Sequence, residues 1–157
     1  MQPFYTIENF RAETCLGYLL RRVHKLSVAQ IEPMLEEMGV GMTQWVVLSL
    51  VDNGIATTCR GLSRNMGHDS GAMSRLVDQL VASGLLARVR DDLDRRVSNL
   101  VVTEAGEAVL AKSASPMVEV WNDILRDIEP EEISRTIGTL ARLLGQLEER
   151  EAEAAEA

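Results

Sequence analysis

The sequence predicts a mainly helical fold carrying one small antiparallel β-hairpin, and three observations predict it. Long stretches place apolar residues three and four apart, the period of a helix with one face turned to a core. Two short helical patterns meet across a glycine-containing break, Gly67-His68-Asp69. Directly after them, apolar and basic residues alternate over 86–90, and a β-rich run returns over 97–102.

Residues 1–8 are expected to form an irregular arm, followed by a helical pattern from about Phe10 to Met38. Leu16, Leu19, Leu20, Val23, Leu26, Ile31, Leu35 and Met38 supply its apolar side, Pro33 should kink or divide it, and Gly39 and Gly41 should end it. Thr43 is the expected cap of a short helix, Gln44 to Asp52, whose apolar content demands burial on most sides. Asn53-Gly54 signals a turn. Thr57 or Thr58 then caps a helix with Cys59, Leu62 and Met66 at i, i+3 and i+7. After the glycine break, Asp69 or Ser70 caps a helix in which Met73, Leu76, Val77, Leu80 and Val81 form one apolar stripe, and Gly84 closes its end.

The opposite face of that helix is unusual. Ser70, Gly71 and Ser74 are small enough to let the backbone approach something closely, and Arg75 projects beyond them as a long bidentate donor, with Asp78 a turn further on. Two short helices around such a corner make a helix-turn-helix, whose second helix suits a DNA major groove. The hairpin that follows carries Arg88 and Arg90 on its first strand and Arg95 and Arg96 at its tip, the position of a wing reaching an electronegative minor groove. Thr103 then caps a long helix from about Glu104 to Ile128, and Glu129-Pro130-Glu131-Glu132 opens a last one with its acids at the positive end of the helix dipole. Ile133, Ile137, Leu140, Leu144 and Leu147 follow at spacings of 4, 3, 4 and 3, a narrow seam suited to another helix. The Ala/Glu-rich tail, Glu148 to Ala157, is expected to fray.

A chain of 157 residues fits one core without disulfides or metal, and no segment reads as a signal peptide or membrane span, so a cytoplasmic protein is expected. Cys15 and Cys59 are isolated thiols and His24 and His68 are scattered, which indicates neither a zinc site nor any other cofactor. No nucleophile, base and orienting residue recur at interpretable spacing, so an enzyme is not expected. The net charge of -8 argues against an anionic partner until its distribution is considered. Residues 60–96 hold seven arginines against five aspartates, +2, while the remainder carries -10.

These residues together resemble the MarR family of winged-helix transcriptional regulators. The resemblance rests on Thr43-Gln44-Trp45-Val46-Val47-Leu48, Leu62-Ser63, Ser74-Arg75-Leu76-Val77-Asp78-Gln79-Leu80, Gly84-Leu85-Leu86, Asp94-Arg95-Arg96 and Leu100-Val101-Val102-Thr103-Glu104-Ala105-Gly106. It implies a homodimer on a pseudo-palindromic double-stranded operator, usually a repressor released by a small ligand or by oxidation. It also implies three regions: residues 1–42 for dimerisation, 43–103 for DNA binding, and 104–157 for dimerisation again. Ser70, Gly71, Ser74 and Arg75 match the recognition-helix contacts, and Asp94, Arg95 and Arg96 match the wing tip, with Asp94 placed to orient a guanidinium. Arg88 and Arg90, taken singly, read as ordinary ion-pair partners.

The run Leu16 to His24 resembles first-helix sequences of MarR-type regulators of aromatic-acid catabolism. That likeness implies a small aromatic carboxylate as effector, paired by Arg21 or Arg22, with His24 or Trp45 meeting a phenol or ring. Redox sensing through Cys15 is an alternative, although the peroxide-sensing branch would place its cysteine near Gly17 and its accompanying tyrosines are absent. A helical interaction protein that does not bind DNA is the other alternative.

Overall fold

The computed structural model describes residues 3–90 and 98–156, so the expected wing tip, Asp94, Arg95 and Arg96, lies outside the described residues. The chain divides into two compact units, 1–120 and 121–157. Six α-helices and a two-stranded sheet are described: α1 (Leu16–Glu36), α2 (Met42–Asp52), α3 (Cys59–Met66), α4 (Ser70–Ala82), β1 (Leu86–Arg90), β2 (Ser98–Val102), α5 (Glu104–Leu125) and α6 (Pro130–Glu156).

The arm before α1 has more order than its composition suggests. Phe4, Tyr5 and Phe10 stack edge to face, and a short 3-10 turn, Ala12–Thr14, precedes the helix. The Tyr5 hydroxyl donates to the Thr14 carbonyl (2.9 Å) and accepts from the Leu16 N–H (3.0 Å). It thereby satisfies one of the orphan donors of α1 that Cys15, at the cap position, does not. Pro33 sits inside α1 without dividing it. Its ring falls near the C-terminal end, where few turns remain to be disrupted.

The helix expected to begin at Gln44 begins at Met42 instead, and Gly41 rather than Thr43 precedes it. The Gln44 side chain reaches back to accept the Gly41 N–H (2.9 Å), and Glu32 of α1 accepts the Met42 N–H (3.2 Å). Thr58 caps α3 as expected, accepting the Gly61 N–H at 3.0 Å, and Gly67 leaves α3 in the left-handed region at φ +63°.

The core of the first unit gathers Val47, Leu48 and Val51 from α2, Leu62 from α3, Met73, Val77 and Leu80 from α4, Leu86 from β1 and Leu100 from β2. The strands pair antiparallel with Leu86 opposite Val102, Arg88 opposite Leu100 and Arg90 opposite Ser98. The sheet is anchored beyond its own ladder: the Leu100 N–H donates to the Thr57 carbonyl (2.7 Å), and the Thr103 N–H to the Leu85 carbonyl (3.1 Å). Thr103 caps α5 by accepting the Gly106 N–H at 3.2 Å. Gly106 is buried because α5 starts against the backbone of Leu85, just before β1. A Cβ there would collide with the Leu85 carbonyl and lie 2.7 Å from Val102 Cγ1.

Two expectations for the second unit need correction. The helix after the hairpin ends at Leu125, before Ile128, and the tail expected to fray continues α6 to Glu156. Alanine and glutamate are strong helix formers, and α6 is long enough to carry the cost of nucleation. Within α6, Ile137, Leu144 and Leu147 are exposed while Ile133 and Leu140 are half-buried.

Candidate nucleic-acid interface

The helix-turn-helix corner is set by short-range chemistry. At the end of α3 the His68 N–H donates to the Ser63 carbonyl (3.1 Å), while the Ser63 hydroxyl donates to the His68 carbonyl (2.6 Å), closing the turn in both directions. Asp69 then starts α4, its Oδ1 accepting the N–H groups of Gly71 and Ala72, each at 3.0 Å. This cap has a functional corollary. The amides at the start of α4, which would otherwise be an anion site, already serve a carboxylate, so phosphate affinity must come from side chains.

Along α4 the two faces diverge completely. Met73, Val77 and Leu80 are wholly buried. Ser70 and Arg75 are exposed, and Gly71 and Ser74 are partly so, on the side away from the core. Among the described residues Arg75 has no ion pair or hydrogen bond. A Cβ at Gly71 would crowd the capping Asp69 Oδ1 at 3.2 Å, while Arg75 Nη1, 3.7 Å away, would be in ordinary contact with it. The arrangement presents a free guanidinium above a shallow surface of hydroxyls and backbone, which fits the close approach that a groove demands. Arg60 and Arg64, on α3, are also exposed.

Arg88 behaves differently from Arg75. Its Nη2 donates to Asp78 Oδ1 at 2.7 Å, joining β1 to α4. The guanidinium is raised above its ordinary pKa, chiefly by that hydrogen bond, with desolvation pulling the other way. Sequence spacing held no sign of this pair, because the partners are ten residues apart across a turn.

The expected effector residues are more scattered. Arg21, Arg22 and His24 lie on the exposed part of α1, and none of them has an ion pair among the described residues. Trp45 is half-buried on α2, and its indole N–H donates to the hydroxyl of Ser113 on α5 at 2.8 Å. Ser113 is fully buried and itself donates to the Leu110 carbonyl, so the indole is tied to a buried polar relay between two helices. No hydrogen bond joins Trp45 to Arg21, Arg22 or His24 among the described residues. Cys15 and Cys59 are both free thiols, each half-buried. Among the described residues no helix is long and apolar enough to cross a membrane, and no group of His, Cys, Asp or Glu side chains is placed to hold a metal ion.

Residues 38–97 match the MarR family. Several solved structures share the fold over most of the chain. A MarR-family transcriptional regulator from Silicibacter pomeroyi is 22% identical, with a TM-score of 0.74 over 90% of this chain and 96% of its own. CouR from Rhodococcus jostii RHA1, solved with p-coumaroyl-CoA bound, is 23% identical, with a TM-score of 0.72 over 85% of this chain and 94% of its own. S. aureus MepR, solved in complex with DNA, is 19% identical, with a TM-score of 0.70 over 86% and 98%. Residues 38–97 therefore match the MarR family, and the chain carrying them has the winged helix-turn-helix fold seen in these solved structures.

Proposed function

We propose that two copies of this chain form a homodimer that binds a pseudo-palindromic operator as a repressor and leaves it when a small aromatic carboxylate binds. The observation that carries the reading is the α4 face: an exposed, unpaired Arg75 over Ser70, Gly71 and Ser74, on a helix whose other side is locked into the core. Arg75 reads a guanine edge, and the small residues bring the helix backbone close to the groove floor. Asp94, Arg95 and Arg96 act at the wing tip, the arginines in the adjoining minor groove and Asp94 orienting one of them.

Residues 43–103 are the DNA-binding region, and 1–42 and 104–157 carry dimerisation. The support for this division is apolar surface on both flanks: Leu16, Leu19, Leu20, Val23 and Leu26 along α1, and the exposed seam on α6. Two-fold pairing would set the recognition helices about one duplex turn apart, at roughly 34–36 Å. For the effector, Arg21 and Arg22 supply cations beside apolar residues, His24 a ring donor or acceptor and Trp45 a stacking surface. CouR, solved with p-coumaroyl-CoA, supports the aromatic part of this reading but not the carboxylate, which the thioester lacks.

A gel shift on the DNA upstream of the chain's own coding region tests the DNA reading, with sedimentation or sizing for the oligomeric state. A retarded band at low nanomolar to tens of nanomolar dimer is expected at moderate salt. A monomer that shifts no duplex would overturn the proposal. Titration with cinnamate- and benzoate-type acids, and in parallel with p-coumaroyl-CoA, tests the effector, read as Trp fluorescence and release of the duplex. Silence towards all of them would remove the aromatic effector and leave the DNA reading standing.

A further inference from the structure

Arg88 leaves β1 on the same side as Leu86, which is buried, and opposite Leu100, also buried, so its side chain sets out along the inner face of the hairpin. Its guanidinium meets Asp78 on α4 at 2.7 Å. One side chain thus ties the base of the wing to α4. Among the described residues of the first unit it makes the only ion pair; the other two both involve Arg126. Asp78 lies three residues beyond Arg75 and four beyond Ser74, on the same flank of α4. With its side chains 40% and 57% exposed, the pair contributes little to folding, and its placement needs another reason.

We propose that Asp78 and Arg88 are positioning residues that hold the wing at a fixed pitch to α4, so that Arg75 and the wing reach one DNA duplex in register. Arg88 acts through Asp78 and not on phosphate. The inference rests on the reading of α4 as the DNA-contacting helix, and it makes a prediction of unusual sign. Removing an acidic side chain from a DNA-facing helix should tighten binding if charge alone mattered, because one fewer negative charge faces the phosphates. Positioning predicts the reverse.

The test compares wild type, Asp78→Ala, Asp78→Asn, Arg88→Ala and the double variant Asp78→Ala/Arg88→Ala on operator and on scrambled duplex, over a range of salt. Each single variant is expected to lose about tenfold in operator affinity, the scale of one well-placed contact, with little change on scrambled DNA. The double variant should be no worse than the poorer single, since both remove one interaction. The slope of log K against log salt should stay unchanged in Arg88→Ala, and the thermal midpoint should barely move in Asp78→Asn. If wild type binds no duplex, the DNA reading itself fails. If wild type binds and Asp78→Ala or Asp78→Asn binds as tightly or more tightly, the positioning role is overturned. A slope reduced by about one in Arg88→Ala would instead make Arg88 a phosphate contact.

Discussion

Helices α1 and α4 carry apolar residues at the same three-and-four spacing, yet the chain treats them in opposite ways. In α4 every residue of the central stripe, Met73, Val77 and Leu80, is fully buried by α2, α3 and the hairpin. In α1 only the C-terminal half is treated so, with Ile31 and Leu35 fully buried, while Leu16, Leu19, Leu20, Val23 and Leu26 remain 39–57% exposed. A stripe sealed within the chain frees the other side of its helix for polar work, whereas the open stripe of α1 is apolar surface that the proposed homodimer would cover.

The comparison breaks most sharply under truncation. Leu80→Ala should cost about 2–5 kcal/mol, independent of protein concentration, because it leaves a cavity in a closed core. Leu20→Ala should instead alter a melting midpoint that depends on concentration, as expected when the side chain is covered only in an assembly. A concentration-independent loss in both would erase the distinction, and thermal denaturation at several concentrations reads it directly. Next in size is Gly106→Ala, expected to destabilise by about 1–3 kcal/mol because the Leu85 carbonyl and Val102 cannot withdraw without moving the hairpin. A midpoint unchanged in calorimetry would show that α5 has room to shift.

On the polar side of α4, Arg75→Ala should remove about 1–3 kcal/mol of discrimination per half-site while leaving stability within about 0.5 kcal/mol. Competition gel shifts against scrambled duplex measure it, and an unchanged specificity ratio would separate Arg75 from base reading. The smallest expected effect is Arg96→Ala, a modest and sequence-independent loss of affinity with a salt slope shallower by about one. A slope equal to that of wild type would place Arg96 away from phosphate.

Much of this architecture was legible before any coordinates. Thr103 caps α5 as its chemistry predicts, the structure chooses Thr58 over Thr57 and Asp69 over Ser70 as caps of α3 and α4, and Gly84 follows α4 at φ +75°. A cap acts within three residues of itself, so its signal lies in the local spelling. Thr43 misled for the same reason: it has cap chemistry, but Glu32 of α1 and the backward-reaching Gln44 already satisfy the start of α2 two residues earlier. Arg75 was legible as a candidate contact because small residues around one long donor on a polar face form a local pattern. Arg88 was read only as an ordinary ion-pair partner, and its attachment to Asp78 could not be foreseen. Nor could the indole link from Trp45 to Ser113, 68 residues away.

What the order of residues determined by itself was periodic and short-ranged: helix positions, caps, the hairpin and the faces that each helix turns inward or outward. Only the folded arrangement decided which apolar stripe found cover, which arginine was captured and which was left free. The reason is physical: periodicity acts over one or two turns of backbone, whereas burial and ion pairing depend on atoms brought together across a turn or across the whole core. Arg75 and Arg88 are the same residue type thirteen positions apart. One points outward unpaired and the other is held by Asp78, a partner that only the tertiary structure identifies.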